Sequence, residues 1–128
     1  MTEDEPKRVL YIEDNPDECE LVKEVLAGYD VICVTSVAAA RLLLEAVSFA
    51  LIIADEHLPD DSGLGFARWL VRSGRVIPVI IVSGDPYLRP AEALEAGARA
   101  FLSKGRPNYV ENLYSFAKQF LLSAEANS

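Results

Sequence analysis

At four places in the sequence an apolar run ends in a side chain able to do chemistry. Glu13-Asp14 follows Val9-Leu-Tyr-Ile12, Asp55 follows Ala50-Leu-Ile-Ile-Ala54, Ser83 ends Pro78-Val-Ile-Ile-Val-Ser83, and Lys104 stands two beyond Ala100-Phe-Leu102. A short, unbroken apolar run reads as a strand buried on both faces, the form strands take in parallel sheets. Each polar group then sits at the carboxyl end of its strand, and open α/β sheets bind ligands at that edge. Three carboxylates gathered there repel one another, and a divalent cation relieves the repulsion. Magnesium takes oxygen ligands, often one or two carboxylates plus a phosphate, and keeps several waters. A hydroxyl and an ammonium alongside suit a phosphoryl group, and an Asp carboxylate can itself accept phosphoryl as a nucleophile. Singly, each residue has a plainer explanation: Asp55 starts a turn, Ser83 caps a loop, Lys104 is a surface charge. The joint placement on four strand ends is what points to chemistry.

Positioning those groups requires strands that alternate with helices. After the first strand, Asn15 is read as a helix cap, with Pro16 at the first helical position and Glu18 completing a capping box. Leu21, Val22, Val25 and Leu26 form one apolar stripe, and Gly28 stops the helix. Val31–Val34 is the second strand, and Ser36 caps a helix that turns Ala40, Leu43, Leu44 and Val47 inward. A third helix starts near Gly63, burying Phe66, Ala67 and Leu70 and leaving Trp69 partly exposed. A short helix follows Pro90 and ends at Gly97. The last helix opens with a second capping box, Asn108 to Glu111, and faces inward with Val110, Leu113, Tyr114, Ala117, Phe120 and Leu121. Five strands alternating with five helices give an α/β fold, a doubly wound parallel sheet with right-handed crossovers. The flavodoxin-like strand order 2-1-3-4-5 puts the switch point between the strands that end in Glu13-Asp14 and Asp55.

The chain has 128 residues, which suits one domain. Residues 1–7 and 123–128 read as flexible tails around a unit spanning 8–122. A net charge of -8 argues against binding nucleic acid directly and against an anionic membrane surface. Cys19 and Cys33 are too few for a disulfide scaffold and not at metal spacing, so a reducing, cytoplasmic setting is expected. No run is long and apolar enough to span a membrane, and the charged start lacks the apolar stretch of a signal peptide.

These residues resemble the receiver domain of two-component response regulators, the phosphoaspartate signalling module. Val9-Leu-Tyr-Ile-Glu-Asp-Asn15 resembles the family's first strand and acidic pair. Asp55 with Leu58-Pro59 and Gly63 resembles the phosphoacceptor strand and its loop. Pro78–Gly84 resembles the strand with the hydroxyl, and Ala96–Lys104 the strand ending in the lysine. The resemblance spans about residues 8–121. It implies that Asp55 is phosphorylated, with Ser83 and Lys104 holding the phosphoryl oxygens. Asp14, Asp55 and the backbone carbonyl of His57 would bind magnesium, with Glu13 acting through water. Ser83 and Phe101 would be the switch residues. The implied partners are a sensor histidine kinase or phosphotransfer protein and a downstream protein target, and a phosphorylation-dependent homodimer through the fourth and fifth helices fits the family. Catalysis of transfer would reside largely in this chain.

Gly105 departs from the family, which usually has proline after the lysine, and this bears on the aim of Lys104. The alternative reading is a phosphorylation-independent pseudo-receiver, an interaction module. A phosphatase of the haloacid dehalogenase type would need a second acid where His57 stands, together with a cap insertion. A flavodoxin would need small hydroxyl residues where Glu13-Asp14-Asn15-Pro16 offers negative charge. His57, the single histidine, falls beside the phosphoryl site with Asp85 across from it, and is either a tuner of phosphoryl lifetime or a bystander. Trp69, Tyr109 and Phe116 lie off the main core stripes and mark either a partner surface or amphipathic packing, the commoner cause.

Overall fold

The computed structural model describes residues 7–126. In chain order the elements are β1 (Arg8–Ile12), α1 (Pro16–Val25), β2 (Asp30–Val34), α2 (Val37–Ala46), β3 (Leu51–Asp55), α3 (Gly63–Arg72), β4 (Val79–Ser83), α4 (Pro90–Glu95), β5 (Ala100–Ser103) and α5 (Tyr109–Ala126). The strands form one sheet in the order β2-β1-β3-β4-β5, and every pairing is parallel. This is the flavodoxin-like doubly wound arrangement that the alternation of apolar runs and amphipathic segments dictates.

Every residue of β3 and β4 is buried, as strands covered on both faces must be. Side chains alternate between two cores. Leu10, Ile12, Ile52, Ala54, Val79 and Ile81 pack with α2, α3 and α4 on one face. Val9, Tyr11, Leu51, Ile53, Ile80 and Val82 pack with α1 and α5 on the other. Ser36 caps α2 as the sequence suggests, its Oγ accepting from Ala39 N–H (3.1 Å); Ser62, which the sequence reading did not name, caps α3, its Oγ accepting from Gly65 N–H (2.9 Å). Gly97 follows α4 with φ of 107°, a conformation that disfavours any side chain.

The structure departs from the sequence reading at several places. α5 continues through Ser123 to Ala126 instead of ending at Leu122; the remaining tail residues, 1–6 and 127–128, lie outside the described residues. Its inward stripe is Tyr109, Leu113, Ala117 and Leu121, a strict four-residue repeat. Val110 and Tyr114 are exposed instead, and Tyr109 is a core residue. The capping box at Asn15 is half formed. Asn15 Oδ1 accepts from Asp17 N–H (2.9 Å), but the Asn15 N–H is taken by Glu13 Oε2 (3.2 Å), leaving Glu18 no donor there. Asn108 and Glu111 form no reciprocal pair among the described residues. Trp69 is half-buried, packed on Phe66 with ring centroids 5.8 Å apart and flanked by the Arg41 and Arg75 guanidiniums. Phe116 lies at the exposed surface of α5.

Candidate functional site

The strand register assembles the site. Ile12 pairs with Ala54, so Glu13 and Asp55 emerge side by side at the carboxyl edge. Asp55 pairs with Val82 and Ser83 with Ser103, which places Ser83 and Lys104 at the same edge. The Lys104 N–H donates to the Ser83 carbonyl (2.8 Å) and ties the start of the β5–α5 loop to β4.

Lys104 Nζ lies 2.8 Å from Glu13 Oε1 and 2.5 Å from Asp55 Oδ1. Both carboxylates are buried, Glu13 with 3% and Asp55 with 6% of its surface exposed. Two buried carboxylates at this separation are tolerable only with a cation and donors on the remaining oxygens. The donors are present. Tyr11 Oη donates to Glu13 Oε1 (3.0 Å), Asn15 N–H to Glu13 Oε2 (3.2 Å), and His57 N–H to Asp55 Oδ2 (2.8 Å). Burial raises the Glu13 carboxyl above its ordinary range, and the bond from Lys104 offsets this only in part. Burial alone would lower Lys104, but hydrogen bonds and charge from Asp55 and Glu13 prevail and hold the ammonium above its ordinary value. Lys104 is therefore charged at neutral pH and shared between two acids.

The replacement of proline by Gly105 does not turn Lys104 away from Asp55. Ser83 is fully buried, and its Oγ accepts from Asp85 N–H (2.9 Å), so it caps the loop while standing at the site. Asp14 is exposed at the loop after β1. The His57 imidazole is exposed too, with Nε2 4.0 Å from Asp85 Oδ2. Phe101 is half-buried against the α4 side and lines a groove of about 560 Å³ between the β4–α4 loop, β5 and α5.

Four supporting residues carry roles that sequence reasoning missed. Tyr11 orients Glu13; Glu13 stands two residues on, just past the end of β1, where the strand alternation still puts it on the Tyr11 face, a signal present in the sequence. Glu56 Oε1 accepts from Leu64 N–H (2.9 Å), and Asp60 accepts from the Val37 and Ala38 N–H groups (2.9 Å each). They tie the His57 loop to α3 and α2. Gly63 lets α3 start against β3: a Cβ there would stand 2.7 Å from the Asp55 carbonyl oxygen.

Among the described residues no three His, Cys, Asp or Glu side chains converge as a closed metal cage. The expected ligand set is thus not a ring of side chains. Two carboxylates, Glu13 and Asp55, converge on one cation, here the Lys104 ammonium, with Asp14 adjacent to Glu13 in sequence. That donor set is all oxygen and open, which suits a hard cation that keeps most of its water.

A doubly wound parallel sheet with a paired-acid and lysine site at its switch point defines a class of α/β proteins that bind at the carboxyl edge. The comparisons identify the member of that class. Residues 9–113 match the model of the response regulator receiver domain. The polar-differentiation response regulator DivK of Brucella anthropi is 32% identical over 124 residues, covering 87% of this chain and 96% of DivK. A signal receiver domain from Vibrio parahaemolyticus superimposes with a TM-score of 0.83 at 28% identity, covering 95% of each chain. The receiver domain of a sensor histidine kinase from Pseudomonas aeruginosa is 24% identical with a TM-score of 0.77, over 91% of this chain and 98% of that one; it holds a magnesium ion coordinated in its active site cleft. The chain belongs to the response regulator receiver domain family of two-component signalling.

Proposed function

We propose that this receiver accepts a phosphoryl group onto Asp55 from a phosphohistidine on a sensor histidine kinase or phosphotransfer protein. The observation that carries the proposal is the Asp55 carboxylate buried at the switch point, held by Lys104 Nζ at 2.5 Å and His57 N–H at 2.8 Å. Those two donors aim the carboxylate and remain to bind oxygens once it is esterified. An Asp55 oxygen attacks phosphorus as the phosphorus–nitrogen bond of the donor breaks, giving an acyl phosphate and freeing the imidazole. Lys104 follows the developing charge on the phosphoryl oxygens, and Ser83 Oγ, freed from the Asp85 amide, hydrogen-bonds to them. Magnesium is the expected cofactor; Asp14, Asp55 and the His57 carbonyl would hold it, with Glu13 acting through water. When bound it neutralises charge between the carboxylates and the phosphoryl group.

Movement of Ser83 toward the new group and inward turning of Phe101 into the adjoining groove would reshape the α4–β5–α5 face for a downstream protein. No helix among the described residues is long and apolar enough to cross a membrane. A cytoplasmic setting is part of the proposal, supported by two free cysteines. The test is intact-mass measurement after incubation with acetyl phosphate, with and without magnesium. A gain of one phosphoryl group that requires both magnesium and Asp55, and is lost in Asp55→Asn, supports the reading. No gain by a folded protein refutes it.

A further inference from the structure

The opposite pole of the sheet carries a second surface, remote from Asp55. The amino ends of β3, β4 and β5 and the carboxyl ends of α3 and α5 meet there. Two grooves, of about 260 and 470 Å³, run into one another through shared walls at Val76, Ile77 and Arg99. The first continues along Val71 and Arg75, the second along Phe49 and Phe120. Val76 is 86% exposed and Val71 59%, so the apolar wall is open to solvent.

Its charge is opposite to that of the rest of the chain. The protein has 20 acidic residues and a net charge of -8, yet no acid lines either groove. The charged side chains in the walls are Arg75 and Arg99. Among the described residues neither has a carboxylate partner; Arg75 rests on the Trp69 ring, 5.5 Å from its centroid. A contiguous exposed apolar surface bounded by unpaired guanidiniums is how binding sites differ from ordinary surface.

We propose that this pole docks a partner protein through an extended acidic segment that alternates carboxylate and aliphatic side chains. The carboxylates would pair with Arg75 and Arg99, whose forked donors suit them, and the aliphatic groups would cover Val71, Val76 and Phe120. The five residues of β3 separate the groove from Asp55 by roughly 16 Å. Docking here is therefore independent of the state of Asp55 and leaves the α4–β5–α5 face free. The receiver could be held by one protein while signalling to another.

The probe is a fluorescein-labelled peptide of about ten residues alternating glutamate and leucine, with a lysine–leucine peptide as control. Anisotropy should show salt-sensitive binding of the glutamate peptide only, and amide shifts should concentrate at Val76, Ile77 and Arg99. Arg75→Glu with Arg99→Glu should weaken it at least about ten-fold, while circular dichroism and Asp55 phosphorylation stay as in the parent. Equal binding of both peptides, shifts centred elsewhere, or unchanged affinity in the folded double variant would overturn the proposal. So would two other results: a dimer abolished by the same charge reversal, which assigns the groove to a second copy, or about ten-fold tighter peptide binding by the variant Glu3→Gln, Asp4→Asn, Glu5→Gln, which assigns it to the chain's own acidic start.

Discussion

Two glycines two residues apart should respond to the same substitution with different outcomes. A methyl group at Gly63 would meet backbone: the Asp55 carbonyl oxygen at 2.7 Å, its carbon at 3.2 Å and Glu56 Cα at 3.3 Å. None of these can yield without shifting the end of β3, which is paired on both sides. At Gly65 the added group meets only the Asp61 side chain, which can rotate away. Gly→Ala within a helix stabilises by about 0.5–1 kcal/mol, and forcing an extra carbon into a packed site costs about 1–3 kcal/mol. Gly63→Ala should therefore lose about 1–2 kcal/mol, near 4–8 °C in Tm for a domain of this size. Gly65→Ala gives up the exposed Asp61 bond to Ser62 N–H (2.7 Å), worth about 0.5–1 kcal/mol, and should end near zero. Urea unfolding with unchanged slope reads both numbers. Because the displaced atoms belong to Asp55 itself, Gly63→Ala should also slow phosphorylation, while Gly65→Ala should not. A Gly63→Ala protein as stable as the parent would refute the claim that α3 must begin in contact with the Asp55 backbone.

Three further outcomes follow from the same geometry. Lys104→Met leaves two buried carboxylates without their cation and should cost roughly 2–4 kcal/mol at pH 7; because Glu13 is already raised by burial, acidification toward pH 5 should restore part of it, and a variant as stable as the parent in urea would contradict the shared ion pair. The Tyr109 hydroxyl is buried without a partner and pushed up to about 12 by burial, so Tyr109→Phe should be neutral or about 1 kcal/mol more stable. The folded state keeps the Tyr109 proton after the unfolded chain loses it, so the parent should lose stability between about pH 10 and 12 more steeply than the Phe variant does. Asp60→Ala removes the acceptor of two N–H groups at the start of α2 and should cost about 1 kcal/mol; those N–H bonds lower the Asp60 carboxyl, so this contribution should be present at neutral pH and disappear as pH falls below the ordinary Asp range, and a cost that persists in acid would refute it.

The strand ends were readable because β1, β3 and β4 are nearly pure apolar runs, and a run covered on both faces admits few other assignments. Once order and handedness follow, Glu13, Asp55, Ser83 and Lys104 have to meet. α5 was harder. Tyr109 and Val110 are adjacent apolar residues, and a rotation of one position exchanges which one is buried; the fit of Tyr109 against the α1 side of the sheet decides it, and that fit is three-dimensional. The Asn15–Glu18 box failed because a buried carboxylate two residues earlier competed for the same N–H, a contest that local pattern does not rank. Gly105 raised a question about the aim of Lys104, and with Gly105 in place the ammonium reaches both Glu13 and Asp55. The grooves at the amino pole were unreadable because their walls come from widely separated stretches of the chain.

The central claim is that the buried Asp55 carboxylate is the group that carries phosphoryl. An acyl phosphate is reduced by borohydride to an alcohol, which turns the modified aspartate into homoserine. Tandem mass spectrometry of the phosphorylated, reduced and digested protein should place a single homoserine at position 55. Homoserine at position 14 instead, or no reduced residue in a protein that has gained phosphate, would contradict the account.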